Sequence, residues 1–202
     1  MKLCVFAASS RELAQAYYDA AFELGAELAR RGHTMVFGGG TSGLMGAAAR
    51  GVSSEGGGLI GVAPRFFDEP GILYEHCSEL LFTETMSERK KLMEDLSDGF
   101  ITLPGGIGTF EEFFEALTLK QLGRHAKAMA VLNVCGYYDS MEAMLQRAVD
   151  ERFFPPDGHE PVSYTHLDVY KRQPCGRRNT PHAGANWARE GIWRWPRRWT
   201  AK

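Results

Sequence analysis

The sequence predicts an α/β fold, a doubly wound parallel sheet with helices on both faces. Short apolar runs alternate along the chain with longer segments whose apolar residues recur at helical spacing, and strands that alternate with helices build a parallel sheet between two helical layers. Glycine-rich turns follow two of the apolar runs, at residues 38–43 and 105–108. Glycine turns at the carboxyl ends of parallel strands are typical of nucleotide-binding proteins of this class.

The first half of the chain supplies three strands and two helices. Each apolar run has the length of a buried strand, and each helix has an apolar face that can cover the sheet. Ser9 and Ser10 offer hydroxyls for the N-cap of the first helix. The predicted elements are a strand at Lys2–Ala8, a helix with its apolar face from Leu13 to Leu28, a strand at His33–Phe37, a helix from about Gly43 and a strand at Leu59–Ala63.

The same alternation continues through the second half and completes a Rossmann-like arrangement. Between the third and fourth strands, the prolines and glycine of residues 64–79 predict a loop that overhangs the pocket as a lid. The later elements are a strand at Leu80–Thr83, a helix that holds Arg89, a strand at Gly99–Leu103, a helix that holds Glu112, a strand at Met129–Val134 and a helix at Asp139–Phe153.

A phosphate site is predicted at residues 103–112, which read LPGGIGTFEE. The stretch follows an apolar strand and opens a helix, so the backbone N–H groups of Gly105, Gly106 and Gly108 lie at the positive end of the helix dipole. Unpaired N–H groups at a helix N-terminus bind anions, and phosphate is their natural occupant.

A structural alternative stays open for the same residues. Thr109 and Glu112 have the spacing of a capping box, in which the glutamate only satisfies N–H groups of its own helix. The stretch Met86-Ser87-Glu88-Arg89-Lys90 favours a functional site, because it places two adjacent cations ahead of another amphipathic segment. Cations and a carboxylate around a phosphate loop are the components of a nucleotide pocket.

Together with GGGTSGLMG at residues 38–46, these stretches resemble the LONELY GUY family of cytokinin-activating phosphoribohydrolases, long labelled lysine decarboxylases. The family signatures P-G-G-x-G-T-x-x-E and M-x-x-R-K are present without substitution at Pro104–Glu112 and Met86–Lys90. The resemblance extends from about Lys2 to about Phe154. It implies hydrolysis of the N-glycosidic bond of cytokinin riboside 5′-monophosphates or AMP, which releases the free base and ribose 5-phosphate.

The resemblance also implies roles for individual residues. Glu112 is the expected catalytic carboxylate, which stabilises the positive charge that develops on the ribose and orients the attacking water. Arg89 is expected to hold the substrate in register, and Lys90 to add charge near the phosphate or to form a structural salt bridge. The expected substrate-binding residues are Ser9, Gly39, Gly40, Lys90, Gly105, Gly106, Gly108, Thr109 and Thr118.

By the same resemblance, the protein needs no cofactor and forms a homodimer. The helix that carries Arg89 is the expected part of the interface. Its apolar residues available for burial are Met86, Leu92, Met93 and Leu96. No metal site is predicted, because the four cysteines are scattered and no histidine accompanies them at metal-ligand spacing.

Composition argues against nucleic-acid and membrane partners. Residues 1–160 carry 14 of the 23 Lys and Arg residues but 23 of the 25 Asp and Glu residues, and so acidic a body disfavours contact with a phosphate backbone. No apolar run approaches the roughly 20 residues that a membrane helix needs, and the first residues lack the pattern of a signal peptide. We therefore expect a cytoplasmic protein.

The sequence bears on three other interpretations. Residues 38–43 spell G-x-G-x-x-G, but they follow the second strand and lack the acidic residue that a dinucleotide site has about 20 residues later; tight strand-to-helix packing stays open for this loop. A pyridoxal phosphate decarboxylase needs a Schiff-base lysine, and Lys90, Lys91 and Lys120 lack such a setting. A non-catalytic nucleotide or molybdenum-cofactor carrier needs the anion site but not the carboxylate of Glu112.

The sequence divides at residue 160, after the nucleotide-binding domain of residues 1–160. Residues 161–173, PVSYTHLDVYKRQ, look like the translation of a transposase-adapter inverted repeat, and the remainder holds all four tryptophans and seven cations without an apolar period. We expect residues 161–202 to be a non-native, adapter-derived or frameshifted tail that is disordered.

Overall fold

The computed structural model describes residues 1–153 and the backbone of residues 162–166. Strands and helices alternate along most of this part of the chain, as the sequence predicts. The strands are β1 Lys2–Phe6, β2 Thr34–Phe37, β3 Leu59–Pro64, β4 Glu79–Thr83, β5 Gly99–Thr102, β6 Ala128–Asn133 and β7 Val162–His166. The helices are α1 Gln15–Arg30, α2 Gly43–Ser54, α3 Met86–Leu96, α4 Ile107–Gln121 and α5 Asp139–Asp150.

The strands form one parallel sheet in the order β4-β3-β2-β1-β5-β6-β7. The chain runs outward from β1 through β2 and β3 to β4, and then returns to place β5 on the other side of β1. This reversal confirms the predicted doubly wound, Rossmann-like fold. Ligands of such sheets bind outside the carboxyl ends of the strands at the point of reversal, here between β1 and β5.

Side chains that point alternately to the two faces of the central strand β1 contribute to two separate hydrophobic cores. Leu3 and Val5 of β1 face a cluster that includes residues of α1 and α2, whereas Cys4 and Phe6 face a cluster that includes residues of α3 and α4. Because successive side chains of a strand point to opposite faces, one buried strand supplies both layers. The helices α3 and α4 therefore share one face of the sheet.

The predicted N-cap of α1 is wrong. The helix begins at Gln15, and its N-cap residue is Ala14, which makes no side-chain capping bond. Ser9 and Ser10 lie earlier, in the loop after β1, where the Ala8 N–H donates to the Pro104 carbonyl at 3.2 Å. That contact ties the loop to the carboxyl end of β5 instead of to α1.

The sheet also has a strand that the sequence analysis placed outside the fold. The backbone of Val162–His166 pairs in parallel with β6, from Met129 to Asn133. This corrects the expectation of a disordered tail from residue 161 for these five residues, because the outer edge of β6 offers backbone groups that any extended segment can pair. Residues 167–202 lie outside the described residues, and the origin of the tail stays a prediction.

Candidate active site

An ion pair joins α3 to α4 beside the point of reversal. Arg89 Nη1 donates to Glu112 Oε1 at 2.8 Å, and the two side chains are only 8% and 11% exposed. Arg89 Nε also donates to the Val62 carbonyl at 3.3 Å. A Cβ on Gly38 would lie 2.1 Å from Arg89 Nη2, so a side chain there would displace the guanidinium. The guanidinium is thus held between the ends of β2 and β3 and the second turn of α4.

The environment of Glu112 raises the pKa of its carboxyl. Burial is the main cause, and the nearby charge and hydrogen bond of Arg89 offset it only in part. The neighbouring carboxylate of Glu111 raises the pKa further, while the ammonium of Lys90 lowers it. A buried carboxyl whose pKa is raised and which faces a fixed cation is characteristic of an active-site group.

The structure excludes the capping-box alternative for Thr109 and Glu112. Helix α4 begins at Ile107 with Gly106 as its N-cap residue, so Thr109 is already inside the first turn and is buried. A reciprocal capping box is present at the start of α3, between Thr85 and Glu88. The Glu112 carboxylate therefore does not cap the N-terminus of its own helix.

The first turn of α4 presents free backbone donors. Among the described residues, the N–H groups of Gly106, Ile107 and Gly108 have no hydrogen-bond acceptor, as expected for a helix N-terminus. A Cβ on Gly106 or Gly108 would meet no atom within 4 Å, so the space beside these glycines is open. Gly108 and Glu112 are four residues apart and hence share a helix face, separated by about 6 Å along the axis.

Two tyrosines that the sequence analysis missed hold this loop. Tyr137 donates its hydroxyl to the Gly105 carbonyl at 2.6 Å, and Tyr138 donates to the Leu103 carbonyl at 2.8 Å. The backbone N–H of Tyr138 in turn donates to Asn133 Oδ1 at 2.8 Å. These hydrogen bonds fix the carbonyls of Leu103 and Gly105 just ahead of α4. The dipeptide begins four residues after the end of β6, but only the folded sheet brings that end next to the end of β5.

Lys90 contacts α4 and not the loop. Its Nζ lies 2.5 Å from Glu111 Oε1 and 2.8 Å from Glu115 Oε2. Hydrogen bonds to these two carboxylates raise the pKa of Lys90 above the ordinary value. Of the two roles that the sequence left open for Lys90, the observed contacts are those of a structural salt bridge.

The glycine loop after β2 is used partly for packing. Gly43 has a φ of +61°, and a Cβ there would lie 2.4 Å from the Ala8 carbonyl oxygen, so a larger residue would push α2 away from the loop after β1. The carbonyl of Gly39 accepts from the Tyr74 N–H at 2.8 Å, and Gly40 forms an antiparallel bridge with Leu73. The predicted lid is therefore fastened to this loop at residues 73–74.

The structure brings most of the predicted site residues to one edge of the sheet. Ser9 lies after β1, Gly39 and Gly40 after β2, and the predicted phosphate loop after β5. Thr118 does not join them, because it lies six residues beyond Glu112 on another face of α4 and donates its hydroxyl to the Phe114 carbonyl at 2.7 Å. Arg11, which the sequence analysis did not select, lies at this edge and donates from Nε to Ser42 Oγ at 3.1 Å.

A cavity of about 230 Å³ lies between α3 and α4 and reaches Glu112. Phe6, Phe100, Ala116 and Leu119 form its apolar part, and Ser87 and Lys90 are among its polar lining residues. In the described part of the chain, no group of three or more His, Cys, Asp and Glu residues is placed to hold a metal. No helix within the described residues is long and apolar enough to span a membrane.

Comparison with known proteins yields a family and close relatives. A family model described as "possible lysine decarboxylase" matches residues 45–168. The chain is 44% identical over 168 residues to the probable cytokinin riboside 5′-monophosphate phosphoribohydrolase LOGL9 of Oryza sativa subsp. japonica, which covers 83% of this chain and 71% of the relative. It is 41% identical over 152 residues to the cytokinin riboside 5′-monophosphate phosphoribohydrolase LOG2 of Arabidopsis thaliana, covering 75% and 71%.

Solved structures with the same fold include the molybdenum cofactor carrier protein of Chlamydomonas reinhardtii. Its TM-score is 0.61 at 22% sequence identity, over 81% of this chain and 88% of the carrier. The molybdenum cofactor binding protein of Rippkaea orientalis has a TM-score of 0.58 at 19% identity, over 81% and 86%. At this identity the likeness establishes the fold alone.

Proposed function

Because this chain belongs to the LONELY GUY family of cytokinin riboside 5′-monophosphate phosphoribohydrolases, we propose that it hydrolyses the N-glycosidic bond of cytokinin riboside 5′-monophosphates. The products are the free base and ribose 5-phosphate. AMP, which carries the same ribose 5-phosphate, is included in the proposal as a second substrate. The observation that carries the proposal is the ion pair between Arg89 and Glu112. Glu112 lies on α4, the helix whose first turn also presents free N–H groups.

The spacing along α4 supports this substrate class. Phosphate bound at the N–H groups of Gly106 to Gly108 places the ribose one turn further along the same face, beside Glu112. A 5′-phosphate and the anomeric carbon of one ribose are separated by about the length of that turn. A single helix can therefore anchor the phosphate and present the carboxylate to the bond that breaks.

In the proposed reaction, the bond from the anomeric carbon to the base nitrogen breaks and the ribose acquires positive charge. Ionised Glu112 stabilises this oxocarbenium-like transition state and orients a water molecule. The water oxygen bonds to the anomeric carbon and its proton is released, while the departing base nitrogen takes up a proton. Arg89 holds the Glu112 carboxylate in place with a charge-assisted hydrogen bond.

The lysine environments argue against a Schiff-base decarboxylase. A lysine that forms a Schiff base has to lose its proton, so its pKa is lowered by burial or by neighbouring cations. Hydrogen bonds to carboxylates instead raise the pKa of Lys90 and of Lys91. Lys120 donates its Nζ to the Lys127 carbonyl. None of these three lysines is prepared for that chemistry.

A non-catalytic carrier is the weaker alternative. The carriers that share the fold are about 20% identical to this chain, whereas the phosphoribohydrolases exceed 40% over most of its length. A carrier of an anionic cofactor would use the free N–H groups of α4 but has no need for a buried carboxylate. Burying Glu112 with a raised pKa costs stability, and catalysis accounts for that cost.

The direct test is release of free base from AMP and from isopentenyladenosine 5′-monophosphate, followed by chromatography. We expect AMP to give adenine and isopentenyladenosine 5′-monophosphate to give isopentenyladenine, each with an equal amount of ribose 5-phosphate. Nucleotide binding without any free base, in wild-type protein that is folded by circular dichroism, would instead support the carrier.

We also propose a cytoplasmic homodimer, with α3 contributing to the interface. Met86 is exposed, and Leu92 and Leu96 are partly buried against their own core. Met93 is only 1% exposed, so it is not available to a partner and the expected interface loses that residue. Light scattering on the purified protein tests this assembly, and a monomeric mass at micromolar concentration would rule it out.

A further inference from the structure

The cation next to Arg89 has contacts that none of the proposed steps uses. Lys90 Nζ lies between Glu111 and Glu115 of α4, at 2.5 and 2.8 Å. The lysine side chain is only 17% exposed, whereas the two carboxylates are 55% and 46% exposed. One largely buried cation therefore holds two half-exposed carboxylates from the facing helix.

Three acidic residues lie within two turns of α4. Glu111 and Glu115 flank Glu112, at one residue before it and three residues after it. Like charges this close oppose the ionisation of one another. Without a compensating cation, the flanking carboxylates would favour the protonated form of Glu112, which cannot stabilise a cationic transition state.

We propose that Lys90 is a positioning residue that neutralises Glu111 and Glu115 and so keeps Glu112 ionised against Arg89. This inference rests on the proposed function for its kinetic consequences. Adjacent residues of α3 thus divide the work: Arg89 bonds the carboxylate that reacts, and Lys90 bonds the two that would interfere. Of the two roles that the family resemblance implies for Lys90, the proposal keeps the salt bridge and not the charge near the phosphate.

The charged groups that face Glu112 can be named by element. From α3 they are Arg89 and Lys90, and from α4 Glu111, with Glu115 bound to the same lysine. Lys91 and Glu94 of α3 line the same cavity as Glu112. From β1, the Cys4 thiol faces it, and burial raises the pKa of that thiol so that it stays neutral. Lys90 is therefore the cation that offsets the negative charge of Glu111 and Glu115.

The test first removes the positive charge of Lys90 and then removes the negative charges of Glu111 and Glu115. In Lys90→Met, which keeps the length of the side chain, the acid limb of the kcat profile should move up by about one pH unit, so that activity on that limb falls about tenfold. KM for AMP should change little. Adding Glu111→Gln and Glu115→Gln should return the limb to its wild-type position, and Lys90→Arg should retain it.

Lys91→Met is the matched control, because Lys91 is the next residue of α3 and bonds Asp95 of its own helix at 2.6 Å. It removes the same charge and should leave the profile unchanged. A raised KM that the glutamine substitutions do not rescue would overturn the proposal in favour of a phosphate ligand. A lowered unfolding midpoint with an unmoved acid limb would overturn it in favour of a purely structural bridge.

A measurement without turnover separates this inference from the proposed function. The side-chain carboxyl of Glu112 can be titrated by carbon-13 NMR in wild type, Lys90→Met and the triple variant. An upward shift in Lys90→Met that the triple variant reverses supports the positioning role even if wild-type protein releases no base. Identical titration in the three proteins would overturn it.

Discussion

The Arg89 guanidinium and the Glu112 carboxylate meet at 2.8 Å from two different helices, 23 residues apart in sequence. Both side chains are largely buried, so each charge relies on the other in place of water. Breaking a buried ion pair by removing one partner costs far more than the pair contributes, because the remaining charge stays buried without compensation. The pair therefore joins the stability of the α3–α4 contact to the chemistry proposed for Glu112.

Glu112→Gln should lower kcat by about a hundredfold or more and leave AMP binding intact. A neutral amide cannot stabilise the positive charge on the ribose, whereas its oxygen still accepts the hydrogen bond from Arg89. Single-turnover kinetics and titration calorimetry with AMP measure the two effects separately. Wild-type turnover by this variant would remove Glu112 from the mechanism.

Arg89→Met should destabilise the protein by about 3 kcal/mol, because it leaves the Glu112 carboxylate buried without its cation. Urea unfolding followed by circular dichroism measures the loss. The double variant Arg89→Met with Glu112→Gln should be more stable than Arg89→Met alone. If the two substitutions were simply additive, the residues would not be coupled.

Gly38→Ala should reduce kcat/KM by about a hundredfold, because its Cβ would lie 2.1 Å from Arg89 Nη2 and displace the guanidinium. A wild-type kcat/KM in this variant would mean that the loop after β2 does not act through Arg89.

The pH dependence of kcat should show an acid limb above the ordinary glutamate value of 4.5. Burial raises the pKa of Glu112, so the carboxyl takes up a proton at a higher pH than an exposed glutamate would. Since the ionised form is the active one, the rate falls as pH decreases through that raised value. A profile that stays flat down to pH 4.5 would contradict the assignment.

Adenosine should be a poor substrate relative to AMP. Hydrogen bonds to a charged group contribute about 1.5–3 kcal/mol each, so losing two of them at Gly106 and Gly108 lowers kcat/KM by about a hundredfold or more. Gly108→Ala adds a Cβ that meets no atom of the chain, so a raised KM for AMP in a stable variant would report on the ligand. Equal rates with adenosine and AMP would exclude this phosphate site.

Most of the secondary structure follows from local pattern. The strands β1 to β6 lie within one or two residues of their predicted positions, because a buried parallel strand reads as a continuous apolar run. The positions of helix starts were less accurate. α1 begins at Gln15 and α4 at Ile107, since loops at the carboxyl edge are set by contacts between strands that are distant in sequence.

The sequence alone determined the doubly wound fold, the glycine turn ahead of α4 and the pair of motifs that hold Arg89 and Glu112, because spacing and residue type are local properties. Only the tertiary structure decided which cation meets which carboxylate. Arg89 bonds Glu112 while its neighbour Lys90 bonds Glu111 and Glu115, since successive residues of a helix point in directions about 100° apart. That assignment depends on how α3 and α4 pack on one sheet face, which no local pattern records.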